Sequence, residues 1–85
     1  MFIPGVVLCA QLVCSVIAPP PGEGFQELRQ CESVVPRMMA KAAKAPYMVG
    51  GCIYAADTWK PSQDALTNRF KSVFAPPGQR NEEDG

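Results

Sequence analysis

The chain opens on a long apolar stretch, which is followed by shorter segments separated by proline- and glycine-rich breaks. Residues 2–18 carry no charge, and Gln11 and Ser15 are their only clearly polar side chains. As a helix rising about 1.5 Å per residue, this segment would extend roughly 25 Å, slightly less than the ~30 Å hydrocarbon core of a bilayer. The pattern therefore predicts a membrane-directed segment at residues 1–18, either a short transmembrane anchor or the apolar part of a signal peptide.

The flanks of this segment favour a retained anchor. No Lys or Arg precedes it, although a signal peptide normally begins with a basic region, and cleavage after Ala18 would have to occur directly before Pro19. The short length and the early Pro4 count against a spanning helix. The residues expected in the bilayer are Phe2, Val6, Val7, Leu8, Leu12, Val13, Val16 and Ile17.

A stiff Pro/Gly linker at residues 19–24 separates this segment from a predicted small helical region at residues 25–75. Apolar residues recur there at intervals of three and four, which is the spacing of one helical face: Phe25, Leu28, Cys31, Val35, Met38 and Ala42. Pro36 interrupts this pattern and predicts two short helices or one kinked helix.

Three cations follow the apolar face at helical spacing. Arg37, Lys41 and Lys44 would form one basic face opposite the methionines and alanines of the same segment. Two interpretations remain open, a solvated face of an ordinary surface helix and a basic strip against the anionic headgroups of a lipid bilayer.

A second uncharged stretch, residues 45–56, is too short to cross a bilayer by itself. Gly51 and Ala55 lie four apart, the spacing that lets two helices approach closely. A buried strand or helix of a small core is the favoured interpretation, and Gly50 with Gly51 could equally form a loop.

The clearest predicted helix spans residues 62–74. Ser62 is a good N-cap, Asp64 lies at the positive end of the helix dipole, and Pro76 and Pro77 follow the end. Residues 76–85 are predicted to form a disordered tail. The fold class expected is mostly α, a transmembrane or signal helix followed by two or three short helices. The residues expected in helix packing are Gly51, Ala55, Leu66, Phe70, Val73 and Phe74.

Composition argues against catalysis and against nucleic-acid binding. Eight Lys and Arg balance eight Asp and Glu, so no basic field is present to attract a phosphate backbone, and the chain contains no histidine. No catalytic, cofactor-binding or metal-ligating set is found, and the glycines do not form a phosphate-binding loop. We therefore expect a non-enzyme with no cofactor, no small-molecule substrate and no nucleic-acid partner.

The four cysteines allow two interpretations. Cys9 and Cys14 lie in the apolar leader, so its removal would leave Cys31 and Cys52, which could close one disulfide around a loop of about 21 residues, worth about 3 kcal/mol. In a reducing or membrane setting, Cys31 and Cys52 would instead be small apolar residues on helix faces.

Residues 46–74 resemble the MNLL-type small accessory subunit of mitochondrial respiratory complex I. The residues that carry the resemblance are Pro46, Gly51-Cys52, Tyr54, Asp57, Leu66-Thr67, Arg69 and Lys71-Ser72-Val73-Phe74. They cover about a third of the chain, and residues 1–44 have no counterpart in that family. The resemblance implies a structural inner-membrane subunit with no catalytic residues.

Two function hypotheses follow. The first is a non-catalytic single-pass membrane protein, an accessory subunit that binds the protein subunits of a larger membrane complex and the lipid bilayer, with the mitochondrial inner membrane as its location. The alternative is a small secreted polypeptide that loses its leader and is held together by a Cys31–Cys52 disulfide.

Overall fold

The computed structural model describes residues 1–76, which form a three-stranded antiparallel sheet with two helices. The elements in chain order are β1 (Phe2–Ala10), β2 (Val13–Ile17), α1 (Leu28–Lys41), β3 (Tyr47–Tyr54) and α2 (Gln63–Phe74). The strand order is β2-β1-β3, so the first strand of the chain is the central strand of the sheet. The described part of the chain is therefore an α+β fold.

Strand β1 pairs with both neighbours along most of its length. It forms a tight hairpin with β2, in which Ala10 faces Val13, and on its other side Gly5 faces Gly51 of β3. The chain leaves β2, forms α1 and returns as β3 on the far side of β1. The connection from β2 to β3, which contains α1, therefore crosses over β1.

The two helices cover opposite faces of the sheet. Because successive side chains of a strand point to opposite faces, Gly50 and Cys52 share one face and Gly51 the other. A disulfide joins Cys52 to α1, whereas a Cβ atom built on Gly51 would lie 2.6 Å from the Phe74 ring of α2. The described residues are therefore arranged in three layers, helix, sheet and helix.

Most of the buried core lies between the sheet and α2. Ile3 and Val7 of β1 and Ile53 of β3 pack there with Leu66 and Phe70 of α2. The opposite layer is thinner and contains Val6 of β1 with Cys31 and Val35 of α1. Gly50 lets α1 approach closely on that side, since a Cβ atom there would lie 2.6 Å from Val35.

The expectation of a mostly α-helical protein is wrong, and so is the transmembrane helix at residues 1–18. That segment forms β1, a two-residue turn and β2. Because a helix covers each face of β1, the side chains on both faces are apolar. The strand therefore has a continuous hydrophobic sequence, which is also typical of a membrane helix. None of the helices in residues 1–76 has the length and hydrophobicity needed to cross a bilayer.

The residues assigned to the bilayer are consequently residues of a β-hairpin. Seven of them lie in the strands and pair across the sheet, Val6 with Ile17 and Val7 with Val16, for example. Leu12 lies in the turn. The full set to be reassigned is Phe2, Val6, Val7, Leu8, Leu12, Val13, Val16 and Ile17.

The helical region at residues 25–75 needs a further correction. Gly51 lies in strand β3 and Ala55 directly follows it, so their spacing of four does not mark a helix face. Helix α1 runs through Pro36 without a break. Pro36 is exposed, so the carbonyl that lacks its amide partner can be hydrated by solvent.

The second helix begins as the sequence indicates. Ser62 is the N-cap of α2, and its hydroxyl oxygen accepts a hydrogen bond from the backbone N–H of Ala65 at 3.1 Å. This cap prediction is confirmed. Of the predicted disordered tail, residues 77–85 lie outside the described residues.

Candidate functional site

Two disulfides join all four cysteines of the chain. Cys9 and Cys14 are linked across the β1–β2 hairpin, and Cys31 of α1 is linked to Cys52 of β3. The first closes a local turn, whereas the second ties a helix to the sheet across a separation of 21 residues. Every thiol is therefore used in a structural bond, and none is left as a nucleophile or a metal ligand.

Sequence reasoning missed the Cys9–Cys14 bond because both residues were assigned to a membrane segment. In a hairpin with a two-residue turn, Ala10 faces Val13 and Cys9 faces Cys14. The two Cα atoms are 4.1 Å apart, which is typical of a pair that faces across two antiparallel strands without hydrogen bonds between them. The spacing of five residues was a usable signal for such a pairing.

The hairpin tip presents two apolar side chains to solvent. Leu12 is 88% exposed and Val13 is 69% exposed. Gln11 adopts a positive φ of 57°, which a two-residue turn needs and which side chains other than glycine adopt rarely. The Cys9–Cys14 bond holds the strands together directly behind this turn, so the tip is a rigid apolar projection.

A groove with a volume of about 740 Å³ lies beside α1. One wall is α1 with Val34 and Met38, and the other is the end of β2 with Ile17. The remaining lining residues are Ala18, the linker residues Pro19, Gly22, Glu23 and Gly24, and Met1, Pro4, Phe25 and Gln26. Its volume lies in the range of small-molecule or side-chain binding sites.

The groove exists because α1 covers β1 and β3 but leaves β2 open. On this face of β2, Val13, Ser15 and Ile17 are all exposed. Pro4 lies on the groove floor, where its missing N–H needs no partner, because β2 ends at Ile17 opposite Val6. The groove is thus the uncovered part of the sheet face that α1 shields.

The lining of the groove is mostly apolar. Glu23 is the one ionisable side chain among the lining residues, and the others are apolar or uncharged. Among residues 1–76, no group of three or more His, Cys, Asp or Glu side chains is placed to hold a metal ion. The arrangement can bury an apolar group but offers no acid–base pair or nucleophile.

The structure brings together most of the residues expected in helix packing, although they join a helix to a sheet. Leu66 and Phe70 are fully buried and lie in one cluster with Ala55. Phe74 contacts the position of Gly51, whereas Val73 is 44% exposed. The predicted basic strip does not form one helical face, because Arg37 and Lys41 lie in α1 whereas Lys44 follows the end of the helix; all three side chains are exposed.

Comparisons of the chain with family models, with curated proteins and with solved structures found no match. The resemblance of residues 46–74 to a complex I accessory subunit therefore rests on the sequence pattern alone. In the structure this range contains strand β3 and helix α2, joined by the loop that includes Trp59.

Proposed function

We propose that this protein is a small disulfide-stapled polypeptide that works in an oxidising compartment, as a secreted protein does, and acts by binding rather than by catalysis. The observation that carries the proposal is the pairing of all four cysteines in two disulfides. Disulfides of this kind persist outside the reducing cytosol, and small domains use them to compensate for a small core.

Both bonds reinforce places where the core is thin. Within residues 1–76, the buried side chains between α1 and the sheet are those of Pro4, Val6, Cys31 and Val35, and the Cys31–Cys52 bond crosses that layer. The β1–β2 hairpin has one open face, and the Cys9–Cys14 bond closes its end. Loss of these bonds would remove constraints that the hydrophobic contacts do not replace.

The exposed surfaces support binding as the mode of action. Leu12 and Val13 project from a clamped turn, and the groove beside Met38 is apolar with one carboxylate, Glu23. Rigid apolar projections and grooves lose little entropy on association, so they serve well as contact points for a protein partner. Residues 1–18 belong to the folded molecule in this function, because they supply the central strand.

The thiol state of the protein in its native source tests the proposal. Material quenched in acid and treated with a thiol-alkylating reagent under denaturing conditions should remain unmodified, with an intact mass four hydrogens below that of the fully reduced chain. Peptide mapping without reduction should recover Cys9 linked to Cys14 and Cys31 linked to Cys52. Alkylation of all four thiols in freshly quenched material would show a reducing compartment and reject the proposal.

A matched control separates native bonds from bonds formed during handling. The same extract is first reduced, then quenched and alkylated, and must show four modified thiols. A second aliquot is spiked with reduced recombinant protein before quenching. If the spiked protein is recovered fully alkylated, the disulfides of the native protein were present in the cell or its medium.

A further inference from the structure

Strand β3 is an edge strand, and no strand within residues 1–76 pairs with its outer side. The backbone N–H and C=O groups of Ala55 and Met1 form two hydrogen bonds with each other, both of 2.8 Å. This pair determines which residues of β3 direct their backbone groups towards β1, because every second residue of a strand does so. Val49, Gly51 and Ile53 therefore direct their backbone groups towards β1, whereas the residues between them direct theirs outwards. The outward residues are Met48, Gly50, Cys52 and Tyr54.

This edge lacks the features that protect exposed strands from pairing. β3 is eight residues long, and neither a charged residue nor a proline lies within Tyr47–Tyr54. Its register with β1 runs without a bulge from Cys9–Tyr47 to Phe2–Tyr54. Natural edge strands are normally short, charged, bulged or covered by another element, because an open edge is a template for another strand. A long edge without charge, proline or bulge is able to pair with another strand.

We propose that β3 is a dimerisation edge, which pairs antiparallel with β3 of a second copy of this chain about a twofold axis at Gly51. The pairing would extend two three-stranded sheets into one continuous six-stranded sheet. It is an isologous interface, in which the same strand is used by both partners.

The sequence of the strand fits this register. Residues that face each other across an antiparallel pair must lie on the same face of the sheet, which a centre at Gly51 satisfies. Gly50 then forms a hydrogen-bonded pair with Cys52 of the second copy, and Met48 forms one with Tyr54 of the second copy. Every outward-facing backbone group from Met48 to Tyr54 gains a partner.

The side chains that meet in this arrangement are compatible. Met48 would lie beside Tyr54 of the second copy, and Val49 would lie beside Ile53 of the second copy. Tyr54 is 62% exposed in the single chain. The centre consists of Gly51 facing itself, so no side chain separates the two backbones. The strand itself contains no charged residue, so no like charges face each other across the two paired strands.

Helix α1 leaves room for a second copy. Helix α1 packs over both β1 and β3, so it covers the sheet and does not project past the outer side of β3. With strands about 4.8 Å apart, two α1 helices on the same face of the joined sheet would lie roughly 10 Å apart. This is close to the usual distance between packed helices. The Cys31–Cys52 bond holds α1 and the edge strand in one rigid unit before pairing.

A charge exchange at the facing positions tests the register in the oxidised full-length chain. Residues 48 and 54 of one chain are about 20 Å apart along the strand and do not meet within a monomer. The variant with Met48→Lys and Tyr54→Lys places like charges opposite each other twice in the dimer. The matched variant with Met48→Lys and Tyr54→Glu places opposite charges there instead.

Sedimentation equilibrium gives the mass and the dissociation constant of each form. Wild type should reach twice the 9.2 kDa of a single chain at high concentration. The Lys/Glu variant should dimerise at least about tenfold more tightly than the Lys/Lys variant, and high salt should reduce that difference. A wild type that stays monomeric throughout, or two variants that dimerise equally, would overturn the proposal.

Amide hydrogen exchange of the wild type tests the same edge without a mutation. The amides of Gly50 and Cys52 should exchange fast in dilute solution and become protected as concentration rises. Those of Gly51 and Ile53, which bond to β1, should be protected at both concentrations and serve as internal controls. Unchanged exchange at Gly50 and Cys52 in a concentrated sample would contradict the proposal.

Discussion

The hydroxyl of Tyr47, the first residue of β3, donates a hydrogen bond to the backbone carbonyl oxygen of Phe74, the last residue of α2. The two residues are 27 positions apart, and the carbonyl belongs to the last turn of the helix, where backbone acceptors have no partner within the helix. This bond fixes the end of α2 against the edge strand.

Replacing Tyr47 with Phe should therefore lower the free energy of unfolding by about 1 kcal/mol, the usual net contribution of such a bond. Equilibrium urea unfolding followed by Trp59 fluorescence measures the change. Tyr54→Phe is the matched control, because the Tyr54 ring is largely exposed and its hydroxyl has no partner among the described residues. Equal losses for the two variants would mean that the Tyr47 hydroxyl contributes nothing specific.

The two disulfides should contribute unequally to stability. Replacing Cys31 and Cys52 with Ala opens the longer loop and should cost about 3 kcal/mol, whereas replacing Cys9 and Cys14 with Ala should cost about 2 kcal/mol. Urea unfolding of the two double variants under oxidising conditions measures both values. The opposite order would show that the hairpin bond, rather than the helix-to-sheet bond, limits unfolding.

Deleting residues 1–18 should abolish folding, because β1 is the central strand and supplies Ile3 and Val7 to the core. The remaining residues would lack the strand that both α1 and α2 cover. Circular dichroism should show no cooperative thermal transition. As a control, adding a peptide of residues 1–18 with its Cys9–Cys14 bond closed should restore a transition; a shortened chain that melts cooperatively without the peptide would refute this account.

Gly5→Ala should destabilise the protein by about 1–3 kcal/mol through overpacking. A Cβ atom at this position would overlap the ring of Phe70, which is fully buried. The cost should shrink in a Phe70→Leu background, where the ring is absent, and a double-mutant cycle in urea measures the difference. An unchanged cost in that background would assign the effect to the backbone instead.

Leu12→Ser should change the free energy of unfolding by less than about 0.5 kcal/mol, since the side chain is 88% exposed. Leu66→Ala is the buried counterpart and should cost about 2–5 kcal/mol. Thermal melts of both variants provide the comparison. A large loss for Leu12→Ser would show that the hairpin tip serves the fold rather than an exposed contact.

Local chemistry allowed some elements to be predicted from the sequence. The Ser62 cap and the apolar positions Leu66 and Phe70 follow helical rules that depend on neighbours three and four residues away. The stripe through Cys31 and Val35 likewise marks the buried face of α1, although that helix continues through Pro36 rather than dividing there.

The β1–β2 hairpin could not be predicted in the same way. Its strand β1 has apolar residues on both faces, so the alternation that usually marks a strand is absent. Its turn contains Gln11 and Leu12 rather than the Asn-Gly or Asp-Gly pair typical of such turns. The groove beside α1 and the free edge of β3 depend on strand order, which pairs residues far apart in the chain.

The sequence by itself determined which segments avoid water, where α2 begins, and that four cysteines accompany a chain without histidine. Only the tertiary structure decided what shields the apolar segments. A continuous hydrophobic run indicates that all sides of the segment are shielded from water. A lipid bilayer and a pair of covering helices provide that shielding equally well. Long-range pairing of β1 with β2 and β3, under α1 and α2, is the solution that the described part of the chain adopts.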